Sequence, residues 1–130
     1  MFAQSLIAAV AVVAQASPTA APEAAAAQWI ALVDGAKWAD SWTAAGATFQ
    51  GQVTRDQWAT AIGPVRTPLG AVSSRKLKQV TATRTLPGAP DGDYRVVEYS
   101  TDFAARPGAT ETLLLTAEGG SWKVNGYFIQ

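Results

Sequence analysis

An α+β fold, two helices followed by a four-stranded antiparallel meander, is what this sequence predicts. Three observations carry the expectation. Apolar residues recur at helical spacing between Trp29 and Phe49, and again between Trp58 and Val65. From Ala71 onward β-branched residues dominate and turn clusters break the chain. The connections between those later segments are short, whereas parallel strands would need long crossovers. Helices that precede such a meander must pack on one face of it, with the sheet curved over them.

The stretch from Trp29 to Phe49 is read as one helix holding three of the five tryptophans. Trp38, Trp42, Ala45 and Phe49 share one face, while Trp29, Leu32, Val33 and Ala36 share nearly the opposite one. A helix apolar on two sides is buried on both or bent between them, and Gly35 sits where a bend is easy. The expected core aromatics are Trp38, Trp42, Phe49, Trp58 and Trp122. Trp42 is placed at the enclosed centre and Trp29 near a frayed start.

The second helix opens at Thr54-Arg55-Asp56-Gln57, a capping box in which Thr54 and Gln57 satisfy each other's backbone donors. Trp58, Ala61, Ile62 and Val65 follow at helical spacing. Pro64 removes a donor, so the helix should kink or end there. Strands are expected over Val72–Leu86, Tyr94–Phe103, Glu111–Glu118 and Trp122–Gln130. Turns fall at 87–93, at Arg106-Pro107-Gly108 and at Glu118-Gly119-Gly120-Ser121. Alternation on the last strand sets Trp122, Val124 and Phe128 against Tyr127 and Ile129, so both sheet faces are partly apolar there. That motivates a homodimer through the outer sheet face.

Residues 1–16 read as a signal peptide. The apolar run Leu6–Ala14 is too short to span a bilayer, and Ala14-Gln15-Ala16 suits cleavage before Ser17, although Met1–Ser5 lacks positive charge. Residues 17–28, rich in Ala and Pro, read as a linker, and 29–130 as one α+β domain. The mature chain is therefore expected to be exported, periplasmic or secreted, with no transmembrane segment.

Composition excludes much chemistry. Histidine and cysteine are absent, which removes disulfides, thiol nucleophiles, histidine-dependent triads and the usual zinc ligands. No metal, cofactor or catalytic residue is expected. Ten basic and ten acidic residues cancel, so no bulk field draws nucleic acid, and none is expected as a partner. With 48% hydrophobic and 15% charged residues the chain lies far from disordered compositions.

Asp40-Ser41-Trp42, Trp58, the R-T-P-L-G run at 66–70, Arg75, LPGAPDGDYRVVEY at 86–99, Glu111 and WKVNGY at 122–127 together form a pattern. It resembles the bacterial domain-of-unknown-function family 4019, over Trp29 to Gln130. The resemblance implies an exported domain with a cystatin-like or nuclear-transport-factor-2-like fold. It implies no activity. Gly63-Pro64, late in the second helix, departs from it.

Several local patterns have ordinary explanations. Ser73-Ser74-Arg75-Lys76 matches S-x-x-K, but it starts a strand and its usual partner motifs are missing. Arg75, Lys76, Lys78 and Arg84 read as a charged strand face that discourages edge pairing. Asp91-Gly92-Asp93 lacks calcium-loop spacing and reads as a turn. Asp34 and Asp40 are carboxylates inside a helix that should be enclosed, so each needs a partner. Asp40 with Arg66 or Arg75, and Tyr99 or Tyr127 from the sheet, is the expected polar cluster. It would serve as an ion pair closing helix against sheet, or as an acid–tyrosine pocket.

The leading expectation is a non-catalytic exported module that binds a protein or cell-envelope component. The alternative is a small pocket-bearing enzyme or small-molecule binder using the carboxylate–tyrosine cluster. A third is a structural envelope protein. A cavity of roughly 300 Å³ faced by a carboxylate would favour the second reading, and a core filled by tryptophans the first.

Overall fold

A computed structural model describes residues 18–130, so the signal-peptide reading of 1–16 lies outside the described residues. Helix α1 spans Pro22–Asp34, α2 Trp38–Ala44, α3 Ala47–Gln52 and α4 Arg55–Leu69. They precede β1 (Val72–Thr83), β2 (Tyr94–Phe103), β3 (Arg106–Glu118) and β4 (Ser121–Ile129). The strands form one antiparallel sheet in sequence order, as the short connections required. Gly119 and Gly120 both take positive φ in the β3–β4 turn, which matches the right-handed twist of the flanking strands. Among the described residues, no helix is long and apolar enough to cross a membrane.

The expected single helix from Trp29 to Phe49 is three shorter ones. α1 begins earlier than expected, at Pro22, where proline suits a first helical position and Glu23 complements the helix dipole. Residues 22–28 are therefore helical rather than linker, and Ala26 is fully buried. The bend expected at Gly35 is a complete stop. Ala36 adopts φ 58°, and its N–H and that of Lys37 bond back to Val33 and Leu32. A second break follows at Ala45–Gly46, both extended.

These breaks change which tryptophan is central. Trp29 is 3% exposed and meets Phe49, Trp58 and Tyr127 at ring-centroid distances of 6.4, 6.1 and 5.5 Å. Its Nε1–H donates to the Ser41 carbonyl at 2.8 Å. Trp38 and Trp42 are only half-buried and pack at the margin, while Phe49, Trp58 and Trp122 are buried as expected. The sheet side of the core is Val97, Tyr99, Leu113, Leu115 and Val124.

The capping box at Thr54 forms in both directions, at 2.9 and 3.1 Å. Pro64, however, neither ends nor replaces the helix, which continues through Pro68 to Leu69. Pro64 and Thr60 are both exposed, so the carbonyl left without its donor turns to solvent. β3 starts at Arg106, which puts Arg106-Pro107-Gly108 in the strand; the turn is Ala104–Ala105.

A bulge decides the phase of β4. Leu115 pairs with Val124 and Leu114 with Gly126, leaving Asn125 as the extra residue. Trp122 and Val124 face inward before it, Tyr127 and Ile129 after it. Phe128 thus turns outward, 52% exposed, instead of sharing a face with Trp122. The Asn125 side chain is fully used: Oδ1 accepts Phe49 N–H at 3.0 Å, and Nδ2 donates to Thr116 and Glu118. Gly46 lies so close that a Cβ there would sit 2.3 Å from Asn125 Oδ1.

Candidate functional site

At the end of the sheet where β1 and β3 begin, the inner face turns polar. β1–β2 register sets Arg75 opposite Thr101, and β2–β3 register sets Tyr99 opposite Glu111. Tyr127 joins them from β4 because of the bulge. Arg66 comes from α4 and Asp34 is the last residue of α1.

Glu111 is the hub, with no exposure at all. Its Oε1 accepts Arg75 Nε–H at 2.8 Å and the Thr101 hydroxyl at 2.5 Å, and its Oε2 accepts the Tyr127 hydroxyl. Asp34 bridges the two arginines. Arg75 reaches it with both terminal nitrogens, at 2.7 and 3.0 Å, and Arg66 Nη2 at 2.7 Å. Arg66 Nη1 also approaches the Tyr127 hydroxyl at 3.4 Å, and its guanidinium lies 5.0 Å from the Phe103 ring centre. Burial makes these contacts strong, since an unpaired charge here would be costly. Side-chain exposure is 5% at Arg66, 16% at Arg75 and 30% at Asp34, so Asp34 forms the solvent mouth.

The electrostatics follow from this arrangement. Burial would raise the Asp34 carboxyl, but the hydrogen bonds from Arg75 and Arg66 outweigh it and hold it below its ordinary value. Burial opposes the Arg75 charge too, yet Asp34 and Glu111 keep its pKa raised. Tyr127 is pushed well above an ordinary phenol, first by burial and then by the Glu111 charge and hydrogen bond. Burial also raises Tyr99, whose hydroxyl reaches the Glu23 carbonyl at 3.4 Å. Two carboxylates and two guanidiniums thus saturate one another. Arg66 Nε is the one buried side-chain polar atom without a partner among the described residues.

Four of the five expected cluster residues meet here: Arg66, Arg75, Tyr127 and, beside Arg75, Tyr99 with its ring centre 6.0 Å from the guanidinium. Asp40 does not. It lies exposed in the first turn of α2, and Asp34 takes the role, because the helix ends at that residue and turns it toward α4. Glu111 and Thr101 were not singled out as cluster members. The signal was there, for Glu111 keeps the alternation of Leu113 and Leu115 and so belongs to the buried face.

The basic strand splits likewise. Arg75 turns inward, while Lys76 and Lys78 line an outer groove with Ser74, Ser100 and Asp102. Ser73 spends its hydroxyl on the Asp102 carbonyl at 2.9 Å, as a strand residue would. Asp93 pairs with Arg95 at 2.7 Å beside the turn.

The principal depressions are surface grooves, and none is lined by Asp34, Arg66, Arg75 or Glu111. One of about 390 Å³ lies between α1 and the β3–β4 hairpin, with Trp29 and Trp122 in its lining and no carboxylate. One of about 580 Å³ does hold a carboxylate, Asp56, but it sits among the helices with Trp42, Gln50 and Arg55. Among the described residues, no group of acidic side chains could hold a metal ion.

A family model described as "Protein of unknown function (DUF4019)" matches residues 25–127. The chain belongs to that family. The DUF4019 span includes Asp34, Arg66, Arg75, Thr101, Glu111 and Tyr127, so the whole cluster lies within it. No curated protein and no solved structure matches the chain.

Proposed function

We propose that this DUF4019 chain is an exported, non-catalytic module that binds a protein or a cell-envelope component. The observation that carries the reading is the closure of its polar cluster. A general acid or base needs a carboxylate free to exchange protons with a substrate. Here Glu111 is fully enclosed and both oxygens are engaged, and Asp34 is held by two arginines. The grooves do not open on these charges. The enzyme or small-molecule reading, which required a carboxylate facing a cavity between helix and sheet, therefore has less support. Trp29, Phe49 and Trp58 fill that space.

The helices pack on one face of the sheet, and the other face is bare. There the register sets Val96 beside Leu114, and Phe128 lies with Leu114 over Gly126. This short apolar strip runs among Thr81, Thr112, Ser100 and Glu98 and is the surface assigned to binding. A cystatin-like or nuclear-transport-factor-2-like fold, with the sheet curved around the helices, belongs to the same proposal. So does removal of residues 1–16 on export.

Affinity capture from an envelope fraction tests the reading, with the wild-type chain and Leu114→Glu compared side by side. A specific component retained by the first and lost from the second, with both folded, is expected. Equal retention by both, or none by either, would refute the assignment. N-terminal sequencing of exported material should begin at Ser17.

A further inference from the structure

The two edges of the sheet differ. β1 carries Lys76 and Lys78 and has extra residues at Ser73 and Lys78, features that discourage pairing with another strand. The end of β4, Tyr127 to Ile129, has no charge, no proline and no bulge. Its backbone is also open. Gln130 and Thr110 exchange both of their hydrogen bonds, at 2.8 and 2.9 Å. Bonding alternates along an antiparallel ladder, so Phe128 bonds back to β3, while the N–H and C=O of Tyr127 and Ile129 point away from the sheet. No described residue bonds to them. Earlier on the same edge the Val124 carbonyl is already taken by Gly46 N–H at 2.8 Å.

We propose that this open end of β4 pairs with the same segment of a second copy about a two-fold axis, joining two sheets into one. This goes beyond the binding role proposed above and uses a different surface, the edge rather than the face. The hydrogen-bond pattern is self-complementary. With Phe128 on the axis, Tyr127 faces Ile129 of the second copy and Ile129 faces its Tyr127. Every outward N–H and C=O of the segment then finds a partner. A shift by one residue would set outward groups against groups already bonded to β3, so the register is fixed. Such a contact is isologous and closes on itself as a dimer.

The side chains agree with the backbone. Two of the three exposed large apolar residues flank this edge, Phe128 at 52% and Val65 at 48%. Phe128 would meet its own mate across a non-hydrogen-bonded pair, where Cβ atoms approach to about 4.5–5.5 Å. On the inner face, Ile129 of the second copy extends the row formed by Tyr127. It would lie beside the cleft of about 230 Å³ walled by Trp58, Ile62 and Val65.

Sedimentation velocity and amide exchange on the full chain test this. The wild type should sediment as two chains at high micromolar concentration, with protection of the Tyr127 and Ile129 amides rising as concentration rises. Phe128→Glu sets like charges on the axis and should halve the mass. Ile129→Pro removes an N–H that bonds nothing inside the chain and should do the same. Leu77→Glu, at the opposite edge, should leave the dimer intact. A wild-type monomer with those amides unprotected would overturn the proposal, as would a dimer that survives both β4 variants or is lost in Leu77→Glu. A monomer whose amides become protected only with an added extended peptide would overturn it too, in favour of strand addition by another protein. If the β4 variants fail to fold, the concentration dependence of the wild-type amides decides.

Discussion

Replacing Glu111 with leucine should be among the most damaging single changes in the molecule, and a second change should repair part of it. Glu111 is 0% exposed and bonds Arg75, Thr101 and Tyr127. Without it, two guanidiniums share Asp34 alone, and two hydroxyls lose their acceptor. Breaking a buried ion pair from one side typically costs about 3–5 kcal/mol, a large share of the roughly 5–15 kcal/mol that holds a domain together. Arg75→Met in the same chain removes the stranded cation and leaves Asp34 paired with Arg66 at 2.7 Å. The double variant should therefore be more stable than Glu111→Leu, with a coupling on the order of 2–3 kcal/mol. Urea titrations read this as a shift of midpoint at constant slope. Additive losses, or a loss below about 1 kcal/mol for Glu111→Leu, would show that the cluster is not a unit.

Two other outcomes follow from the same geometry. Trp29→Ala should cost about 3–5 kcal/mol, the usual range for deleting a buried large aromatic, and clearly more than Trp42→Ala at its half-buried site; equal midpoints in denaturant would contradict the assignment of Trp29 as the centre. The folded-state pKa of Tyr127 is raised, so its contribution to stability is complete below the unfolded value of about 10 and is lost as pH rises beyond it. In an absorbance titration at alkaline pH, this phenol should ionise only together with unfolding, and a Tyr127 signal titrating near 10 in a still-folded chain would refute its burial beside Glu111.

Much of this was legible in the sequence because it is local. The capping box at Thr54, the tight Gly119–Gly120 turn and the bounds of β2 depend on neighbours in the chain, and they fall where expected. Arg66, Arg75, Tyr99 and Tyr127 could be grouped because a polar residue beside apolar periodicity must find a partner. What failed depends on events that period counting does not register. A non-glycine residue with positive φ, Ala36, ends α1 and separates Asp34 from Asp40, so a helical wheel drawn through both is misleading. Pro22 sits in an alanine-rich stretch that looks like linker until Ala26 is found buried against the core. Pro107 looks like a turn residue, yet β3 begins one residue before it, where an exposed strand end tolerates a missing donor.

The extra residue at Asn125 makes β4 behave as two segments in series, with opposite rules for what each parity of position must be. Odd positions are solvent-facing before it and core-facing after it. A single deletion there would act as a frameshift in space: the chain downstream would keep its composition but exchange its faces, sending Tyr127 and Ile129 outward and drawing Phe128 in beneath the helices. Glu111 would lose its phenolic donor although no residue of the charged cluster had been altered. Length, at this one point, is as much a part of the protein's chemistry as the identity of any side chain.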